Sequence, residues 1–407
     1  MTHLHGTIRR TRRVAGILGL LSTFLLSAFA VPAQEQPRDG TPTPEAVLEA
    51  LFTAGPEAVT FTDEFAAAVS VDRLQTILSS LGEHLGPFRG IEGTDSPFTV
   101  RFVNGTAIAD VVLSDGAIAG LRFRQITPAT EDLAAAVTRF MDRPGEVALS
   151  IRRNGEEIVA RNADRPLAVG SSFKLAVLRA LELAVAAGDA RWDEVVHLDH
   201  GERSLPSGVT QDWPDGTAAT LETLAVLMIS MSDNTATDAL IHRLGRDAVD
   251  AAFPGDTPVL TTREAFLLKA PDSTEVRDRY LNGDAGTRRE ILRRGLSGAL
   301  PPPDLFAGAP VHPGIEWFAP ASGLTQLIDR IDRTDVLAVS AGPFDAGSWQ
   351  YLGYKGGSEP GVVNMTLRLV TTDGTRYSVS ATQNRGHHAV DLADFVQGLN
   401  MVLAHLQ

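Results

Sequence analysis

Strand-like segments lie at both ends of residues 128–407, and a long helical stretch separates them. An amphipathic helix is predicted over 131–141, and alternating apolar residues over 147–152 and 157–161 predict a hairpin around an Asn-Gly turn. Near the C-terminus, strands are predicted at 349–355, 362–371 and 377–383, and a helix at 389–405. One antiparallel sheet completed from both ends accounts for this order. We therefore predict a three-layer α/β (α+β) domain with its end helices on one face and an all-helical part on the other.

A smaller unit is predicted over residues 45–127. Helical spacing over 44–51 and 71–85 places apolar side chains on one face, and short alternating runs follow. An Asn-Gly and an Asp-Gly dipeptide separate these runs, which is typical of hairpin turns. Helices followed by a meander predict a small α+β domain of the cystatin/NTF2-like type, in which a curved sheet wraps on the helices. Its strands are predicted at 98–104, 107–113 and 117–124.

The first 33 residues have the pattern of an export signal. Four arginines between positions 9 and 13 precede an apolar run at 14–29, and small residues follow it. The run is shorter than the roughly 20 apolar residues that span a bilayer, so a cleaved signal is favoured over a membrane anchor. Residues 34–44 are polar and rich in proline, and they are predicted to be a flexible linker. The sequence thus predicts a secreted or periplasmic protein and leaves open whether export uses a twin-arginine route.

Charge and cysteine content limit the partners of the exported chain. Residues 1–33 hold four of the 36 basic side chains and none of the 50 acidic ones, so the rest has a net charge of −18. Such a surface repels nucleic acid and anionic membrane, and neither is predicted as a partner. The chain has no cysteine, so its stability depends on its core and no cysteine carries a lipid. We therefore predict that the mature protein is free and not held by a lipid.

Lysine is rare in this sequence, and its positions are informative. The chain has three lysines, Lys174, Lys269 and Lys355, against 33 arginines. A sequence with this bias is expected to keep lysine where arginine cannot serve. An arginine in a protein never gives up its proton, whereas a lysine removed from water does. Lysine positions are therefore candidates for proton transfer.

Ser171 and Lys174 begin a strongly helical segment. Lys174 is three residues after Ser171, which predicts a position one turn along the same helix face. A neutral lysine there would accept the hydroxyl proton, and the positive helix end would stabilise developing negative charge. The same pattern is also typical of a serine that caps a helix and a solvated lysine, so it does not define a site by itself.

Two further motifs follow along the chain. Ser232-Asp233-Asn234 comes after a helical run, and by itself it is also ordinary turn and cap chemistry. Lys355-Gly356 continues with a second glycine at a predicted strand end, where glycines let a substrate backbone approach closely. A plain strand end with a solvated lysine would look the same. In this order, with two of the three lysines inside them, the three motifs together predict an active site.

At these motifs the chain resembles the penicillin-recognising serine hydrolases, and class A β-lactamases most closely. Ser171-Ser-Phe-Lys174 matches the Ser-x-x-Lys box, Ser232-Asp-Asn matches the second box, and Lys355-Gly-Gly is a Lys-Thr/Ser-Gly box with glycine in the middle. The resemblance covers residues 128–407 and implies a β-lactamase/transpeptidase-like fold. With its preceding small domain, the layout is also similar to the lactamase-like proteins of clavulanate biosynthesis clusters.

The resemblance implies a role for each matching residue. Ser171 would be the nucleophile, beside Lys174, and would be acylated by a cyclic amide, an ester or a D-peptide. Ser232 and Lys355 would pass protons and hold a substrate carboxylate. The backbone amides of Ser171 and Ser358 would form the oxyanion hole. The substrate-binding residues would be Asn234, Gly357 and Ser358.

The chain departs from class A β-lactamases at two points. Those enzymes carry a Glu-x-x-Leu-Asn segment whose glutamate activates the deacylating water, and no such segment follows Asn234. The nearest match is Asp278-Arg-Tyr-Leu-Asn282, which keeps the spacing but shortens the acid, and Asp278 is expected to be a solvated helix residue. The other candidate acid is Glu264, expected to supply a helix N-terminal charge. We therefore predict acylation with slow deacylation. In the family, the hydroxyl of the residue after the lysine commonly binds a substrate carboxylate. Its absence at Gly356 predicts a different or looser acyl-acceptor preference.

The leading interpretation is an exported active-site-serine hydrolase that acts on β-lactams or related amides and esters. A D-alanyl-D-alanine peptidase or esterase is an alternative, and so is a non-catalytic binding protein with the same fold. No cofactor or metal is predicted, because the adjacent His387 and His388 lack the spacing of a zinc site. The sequence leaves the true substrate, the role of residues 45–127 and the oligomeric state open.

Overall fold

The structure, a computed structural model, describes residues 42–128 and 132–407. The predicted export signal and most of the predicted linker lie outside the described residues. Within the described ranges, no helix is long and apolar enough to cross a membrane.

The first part of the chain packs three helices against a four-stranded antiparallel sheet. Successive strands are neighbours because tight turns join them. At the last of these turns, Asp115 and Gly116 have φ values of 49° and 81°, as a two-residue hairpin turn requires. The elements are α1 (Pro44–Ala54), α2 (Asp63–Ala68), α3 (Val71–Leu85), β1 (Phe88–Glu92), β2 (Phe98–Phe102), β3 (Gly105–Ser114) and β4 (Ala117–Pro128).

The sequence patterns predict α1, α3 and the last three strands of this part, but they miss α2 and β1. In β1 the pairing with β2 shifts between Phe88 and Gly90, so the strand lacks a regular alternation of apolar and polar residues. In α2 no side chain is fully buried, so the helix has no apolar stripe. The division of the chain into domains at residue 127 remains a prediction.

The main sheet of the second part is assembled from both ends of the segment, as predicted. The strands of this second part are β5 (Glu146–Arg153), β6 (Glu156–Arg161), β7 (Leu167–Ala168), β8 (Val195–His197), β9 (Ala218–Thr220), β10 (Phe318–Ala319), β11 (Tyr351–Glu359), β12 (Val362–Val370) and β13 (Arg376–Asn384). Five of them form one antiparallel sheet in the order β11-β12-β13-β5-β6. Its edge strand β11 extends four residues beyond its predicted end at Lys355, because Gly356 and Gly357 continue the pairing with β12.

The remaining helices form the outer layers. They are α4 (Leu133–Met141), α5 (Lys174–Ala187), α6 (Leu221–Ser230), α7 (Asn234–Leu244), α8 (Arg246–Ala252), α9 (Thr262–Lys269), α10 (Thr274–Asn282), α11 (Ala285–Arg294), α12 (Ala321–Asp329), α13 (Thr334–Leu337) and α14 (Leu392–Leu403). On one sheet face, Phe140 of α4 meets Phe395 of α14 with ring centroids 5.3 Å apart. Toward the helical part, Thr325 of α12 lies 3.2 Å from Ser150 of β5, hydroxyl to hydroxyl. The structure therefore has the predicted three-layer α/β fold.

The segment that carries Ser171 differs in detail from its prediction. Ser171 does not open α5, because Gly170–Phe173 forms a 3-10 turn and the α-helix begins at Lys174. Within this turn Phe173 is fully buried and stacks on Trp317, with ring centroids 4.2 Å apart. This packing anchors the tighter turn in front of the helix. Side chains three residues apart are eclipsed in a 3-10 turn, so Ser171 and Lys174 still lie on the same side.

Candidate active site

A glycine in β11 allows the sheet edge to approach the turn Gly170–Phe173, which carries Ser171, backbone to backbone. A Cβ atom on Gly357 would lie 2.1 Å from the Val169 carbonyl oxygen and 2.4 Å from the Ser171 nitrogen. A Cβ atom on Gly170 would lie 3.1 Å from the Ser358 nitrogen. No side chain fits at Gly357 without moving this backbone. The approach brings the backbone amides of Ser171 and Ser358 close to each other.

Ser232 lies in a tight turn between α6 and α7. Its φ is 56°, in the left-handed region that residues other than glycine seldom adopt. The Asp233 carboxylate holds this turn by accepting hydrogen bonds from Thr210 Oγ1 at 2.5 Å and from the Val209 nitrogen at 2.7 Å. It also accepts from the Ala236 nitrogen at 2.9 Å and so caps α7. Asp233 therefore fixes the position of the Ser232 hydroxyl.

Lys174 is fully buried, and its amine reaches this turn from α5. Its Nζ donates hydrogen bonds to Asn234 Oδ1 and to the Ser232 carbonyl oxygen, both at 2.6 Å, and lies 3.2 Å from Ser232 Oγ. The Asn234 side-chain nitrogen donates to the Leu205 carbonyl oxygen at 2.9 Å, which orients the amide. Three of the predicted site residues therefore form one hydrogen-bonded group.

Lys355 reaches the same hydroxyl from the sheet. Its side chain is buried, and its Nζ lies 3.0 Å from Ser232 Oγ and 2.5 Å from the Gly356 carbonyl oxygen. The fold thus brings together residues that are about 60 and 120 positions apart in the sequence. The Ser232 hydroxyl lies between two lysine amines, in a lysine cluster formed by Lys174, Ser232, Asn234 and Lys355.

Burial lowers the pKa of both amines because it disfavours their charged forms. The pKa of Lys174 falls from 10.5 to about 7, although the carboxylates of Asp238 and Asp233 oppose the shift. Burial, and then the proximity of Lys174, lower the pKa of Lys355 well below its usual value. A substantial fraction of Lys174 is therefore uncharged at neutral pH and able to accept a proton.

Ser171 is half-buried in the 3-10 turn that directly precedes Lys174. The sequence predicts an amine within reach of its hydroxyl, but in the structure that amine is hydrogen-bonded to Ser232 and Asn234. A buried amine needs hydrogen-bond acceptors, and the Lys174 amine has two oxygens at 2.6 Å, the Ser232 carbonyl and Asn234 Oδ1. Within the described ranges, the Ser171 hydroxyl makes no side-chain hydrogen bond. The candidate nucleophile is thus partly exposed, in the turn that leads into the helix of Lys174.

The two candidate acids lie outside this group. Glu264 forms a capping box with Thr261 at the start of α9 and pairs with Arg246 at 2.7 Å. Asp278 is exposed on α10. Among residues 42–128 and 132–407, no three His, Asp or Glu side chains are grouped so as to hold a metal ion.

A further set of buried polar residues, missed by the sequence analysis, supports the Ser232 turn. Asp238 follows Asn234 by one turn in α7 and accepts hydrogen bonds from the backbone nitrogens of Thr262 at 2.7 Å and Arg263 at 2.8 Å. Thr262 Oγ1 donates to Ser204 Oγ at 2.8 Å. These bonds tie α7 to α9. The spacing of four from Asn234 to Asp238 is the one sequence signal for this contact, because it places both side chains on one helix face.

The third lysine holds the end of β11. Lys269 in α9 is buried, and its Nζ pairs with Glu316 Oε1 at 2.6 Å and with the Glu359 carboxylate. Burial raises the pKa of Glu316 to about 8. Glu359 directly follows Ser358, so this cluster anchors the strand end whose amide lies near Ser171. Lys269 therefore stabilises the site without entering the group around Ser232.

Comparison with known proteins agrees with this fold. Residues 128–258 match the model of the Beta-lactamase enzyme family. The matched segment contains the Ser171 and Ser232 motifs and covers less than half of the chain. The match confirms the predicted resemblance, and the chain has a β-lactamase-like serine hydrolase fold. None of the curated proteins compared with the chain matches it.

Several solved structures are similar to this chain. A β-lactamase from Sphaerobacter thermophilus is 24% identical, with a TM-score of 0.48, over 67% of this chain and 95% of that one. The penicillin-binding protein PBP-A is 17% identical, with a TM-score of 0.45, over 67% and 94%. An ancestral class A β-lactamase is 15% identical, with a TM-score of 0.47, over 68% and 100%. The fold assignment rests on the family match and the sheet topology.

Proposed function

We propose that this chain is an exported active-site-serine hydrolase, acylated at Ser171 by β-lactams or related amides and esters. The observation that supports it best is the Ser232 hydroxyl, 3.2 Å from the Lys174 amine and 3.0 Å from the Lys355 amine. Burying two amines against each other destabilises the fold, since each disfavours the charge of the other. Ionisable groups in such a costly arrangement are typical of a functional site.

The geometry suggests how acylation proceeds. Uncharged Lys174 accepts the proton of the Ser171 hydroxyl as that oxygen attacks the acyl carbonyl. The amides of Ser171 and Ser358 stabilise the oxyanion. Ser232 gives its proton to the leaving nitrogen or oxygen and regains one from the protonated Lys174 amine, 3.2 Å away, while Lys355 keeps that hydroxyl polarised. The substrate-binding residues of this proposal are Asn234, Gly357 and Ser358.

Deacylation is proposed to be slow. Rapid hydrolysis needs a base that holds a water beside the ester. Of the two candidate acids, Glu264 is bound in the capping box of α9 and Asp278 is exposed. Residues 1–33 are proposed to be a cleaved signal, which would make the mature protein secreted or periplasmic. Its partner would be a small molecule, without membrane or nucleic acid, in keeping with a strongly acidic surface.

The proposal is tested by incubating the mature protein with a fluorescent penicillin and following its intact mass over time. We expect one adduct per chain that persists for many minutes. An adduct that disappears quickly would indicate an efficient β-lactamase. The absence of any adduct would favour the binding protein, and release of D-alanine from a D-alanyl-D-alanine peptide would favour the peptidase.

The labelling rate is expected to rise with pH, with its midpoint near 7. Only the uncharged form of Lys174 accepts a proton, and burial lowers the pKa of this lysine to about 7. Acylation is therefore lost as the pH falls through that value and is fully developed above it. Rates of penicillin labelling between pH 5 and 9 check this. A rate that is flat, or that falls with rising pH, would remove Lys174 from the role of base.

A further inference from the structure

Two glycines form a slot for the ring of Tyr354 at the edge of the site. A Cβ atom on Gly342 would lie 2.3 Å from Tyr354 Cε1, and one on Gly356 would lie 2.0 Å from Tyr354 Oη. Phe344 closes the slot, with its ring centroid 5.7 Å from that of Tyr354. The ring is thereby held in place. Its hydroxyl occupies the space that a side chain at position 356 would fill.

Among residues 42–128 and 132–407, no side chain or backbone group forms a hydrogen bond with the Tyr354 hydroxyl. Burial alone raises the pKa of this phenol to about 12, without any contribution from a hydrogen bond or a charge. The side chain is nevertheless only half-buried. In the described ranges, its oxygen is not among the fully buried side-chain oxygens and nitrogens that lack a hydrogen-bond partner. A protonated donor that is positioned, accessible and unpaired is available to a ligand.

This donor lies over Gly356, two residues before Ser358, whose amide is proposed to hold the acyl oxygen. Strand β11 is the edge of its sheet, so nothing in that sheet covers its outer side. Gly356, over which the hydroxyl sits, precedes Ser358 by two residues, which is about 7 Å along a strand. Side chains alternate along a strand, so Lys355 leaves the opposite face toward Ser232. An acyl group held by the Ser358 amide would thus extend along the edge of β11, with the Tyr354 hydroxyl on one face of the strand and the Lys355 amine on the other.

We infer that Tyr354 is a substrate-binding residue whose hydroxyl donates a hydrogen bond to an oxygen acceptor located a few bonds from the acylated carbonyl. The inference rests on the proposed acylation of Ser171 and names the group that the same site recognises. The sequence predicts a looser preference from the missing hydroxyl at Gly356, but the tyrosine supplies a hydroxyl from two residues earlier. The substrate class is an acyl compound with a carboxylate or carbonyl oxygen at that distance.

Tyr354→Phe tests this inference, because it removes one oxygen and keeps the ring in its slot. Acylation by benzylpenicillin, which carries a carboxylate, is expected to slow about 10- to 100-fold, as for a lost hydrogen bond to a charged group. Acylation by p-nitrophenyl acetate, which has no further oxygen acceptor on its acyl group, should change less than about twofold. Penicillin methyl ester identifies the acceptor: a smaller loss than with the acid indicates a carboxylate, and an equal loss indicates a neutral carbonyl.

The same set of assays separates the possible failures. If neither probe acylates the wild-type protein, the proposed function is wrong. If both acylate it and Tyr354→Phe slows neither, or slows both equally, the proposed function stands and the inference is overturned. Thermal unfolding of the variant should match that of the wild type, since the contacts of the ring are unchanged.

A rescue experiment tests the same idea from the glycine. Tyr354→Ala should slow penicillin acylation, and adding Gly356→Ser to it should restore at least part of the rate by returning a hydroxyl to the same space. Gly356→Ser alone should lower the melting temperature, because its Cβ would lie 2.0 Å from Oη. A double variant no faster than Tyr354→Ala would contradict the assignment.

Discussion

Ser171→Ala is expected to abolish covalent labelling by β-lactams and activated esters while leaving the fold intact. The hydroxyl is the proposed nucleophile, and no other atom replaces its bond to the acyl carbon. It is half-buried without a described side-chain hydrogen bond, so its removal should change the free energy of unfolding by less than about 1 kcal/mol. Intact mass after incubation with penicillin measures the first effect, and thermal unfolding measures the second.

Ser172→Ala is the matched control for this variant. Ser172 is the next residue in the same turn, is fully buried, and contacts the Lys355 carbonyl oxygen at the long distance of 3.5 Å. Its alanine variant should still gain the acyl mass. If Ser171→Ala gained the adduct and Ser172→Ala lost it, the nucleophile would be Ser172.

Lys355→Arg is expected to slow acylation by about 10²-fold or more, although both residues are basic. The Lys355 amine is buried between Ser232 Oγ at 3.0 Å and the Gly356 carbonyl oxygen at 2.5 Å, and the larger guanidinium does not fit there. Arginine also stays charged, whereas burial favours the uncharged amine. The measurement is the second-order rate of penicillin labelling.

Arg161→Lys provides the control for this exchange. Arg161 is exposed on β6, at the opposite edge of the same sheet, so the exchange of the same two residue types should leave the labelling rate unchanged. Wild-type rates in Lys355→Arg would show that Lys355 has no specific function. A general loss of rate in both variants would point to a change in the sheet.

The layered fold and the lysine cluster could be predicted from the sequence. The hairpin before the helical block and the three strands after it have regular alternation, so one sheet could be inferred from both ends. Lys174 and Lys355 were conspicuous because arginine replaces lysine almost everywhere else. That both lysines meet at Ser232 could be inferred only from the three motifs taken together, because each motif alone also occurs as a cap, a turn or a strand end.

Other parts of the site depend on contacts that no local pattern contains. The start of α5 at Lys174 is coupled to the stacking of Phe173 on Trp317, which is distant in sequence. The role of Tyr354 depends on Gly342, and that of Lys269 on Glu316, again through packing. The missing hydroxyl at position 356 was visible in the sequence, but its replacement becomes clear only when the ring and both glycines are placed in space.

The central claim is that Ser171 is acylated faster than it is deacylated. A base that holds a water near the ester contributes on the order of 10²- to 10⁴-fold to hydrolysis, and neither Glu264 nor the exposed Asp278 is in the lysine cluster. Asp278→Asn keeps the size of the side chain and removes its ability to act as a base. It therefore tests whether Asp278 nevertheless supports turnover.

The most direct measurement is rapid-mixing kinetics with a chromogenic β-lactam at enzyme concentrations high enough to see one turnover. We predict a burst of about one product per enzyme, followed by a slow phase that Asp278→Asn leaves unchanged. The same burst should be absent from Ser171→Ala. Fast, linear hydrolysis without a burst, lost in Asp278→Asn, would contradict the account and identify Asp278 as the base that completes an efficient β-lactamase.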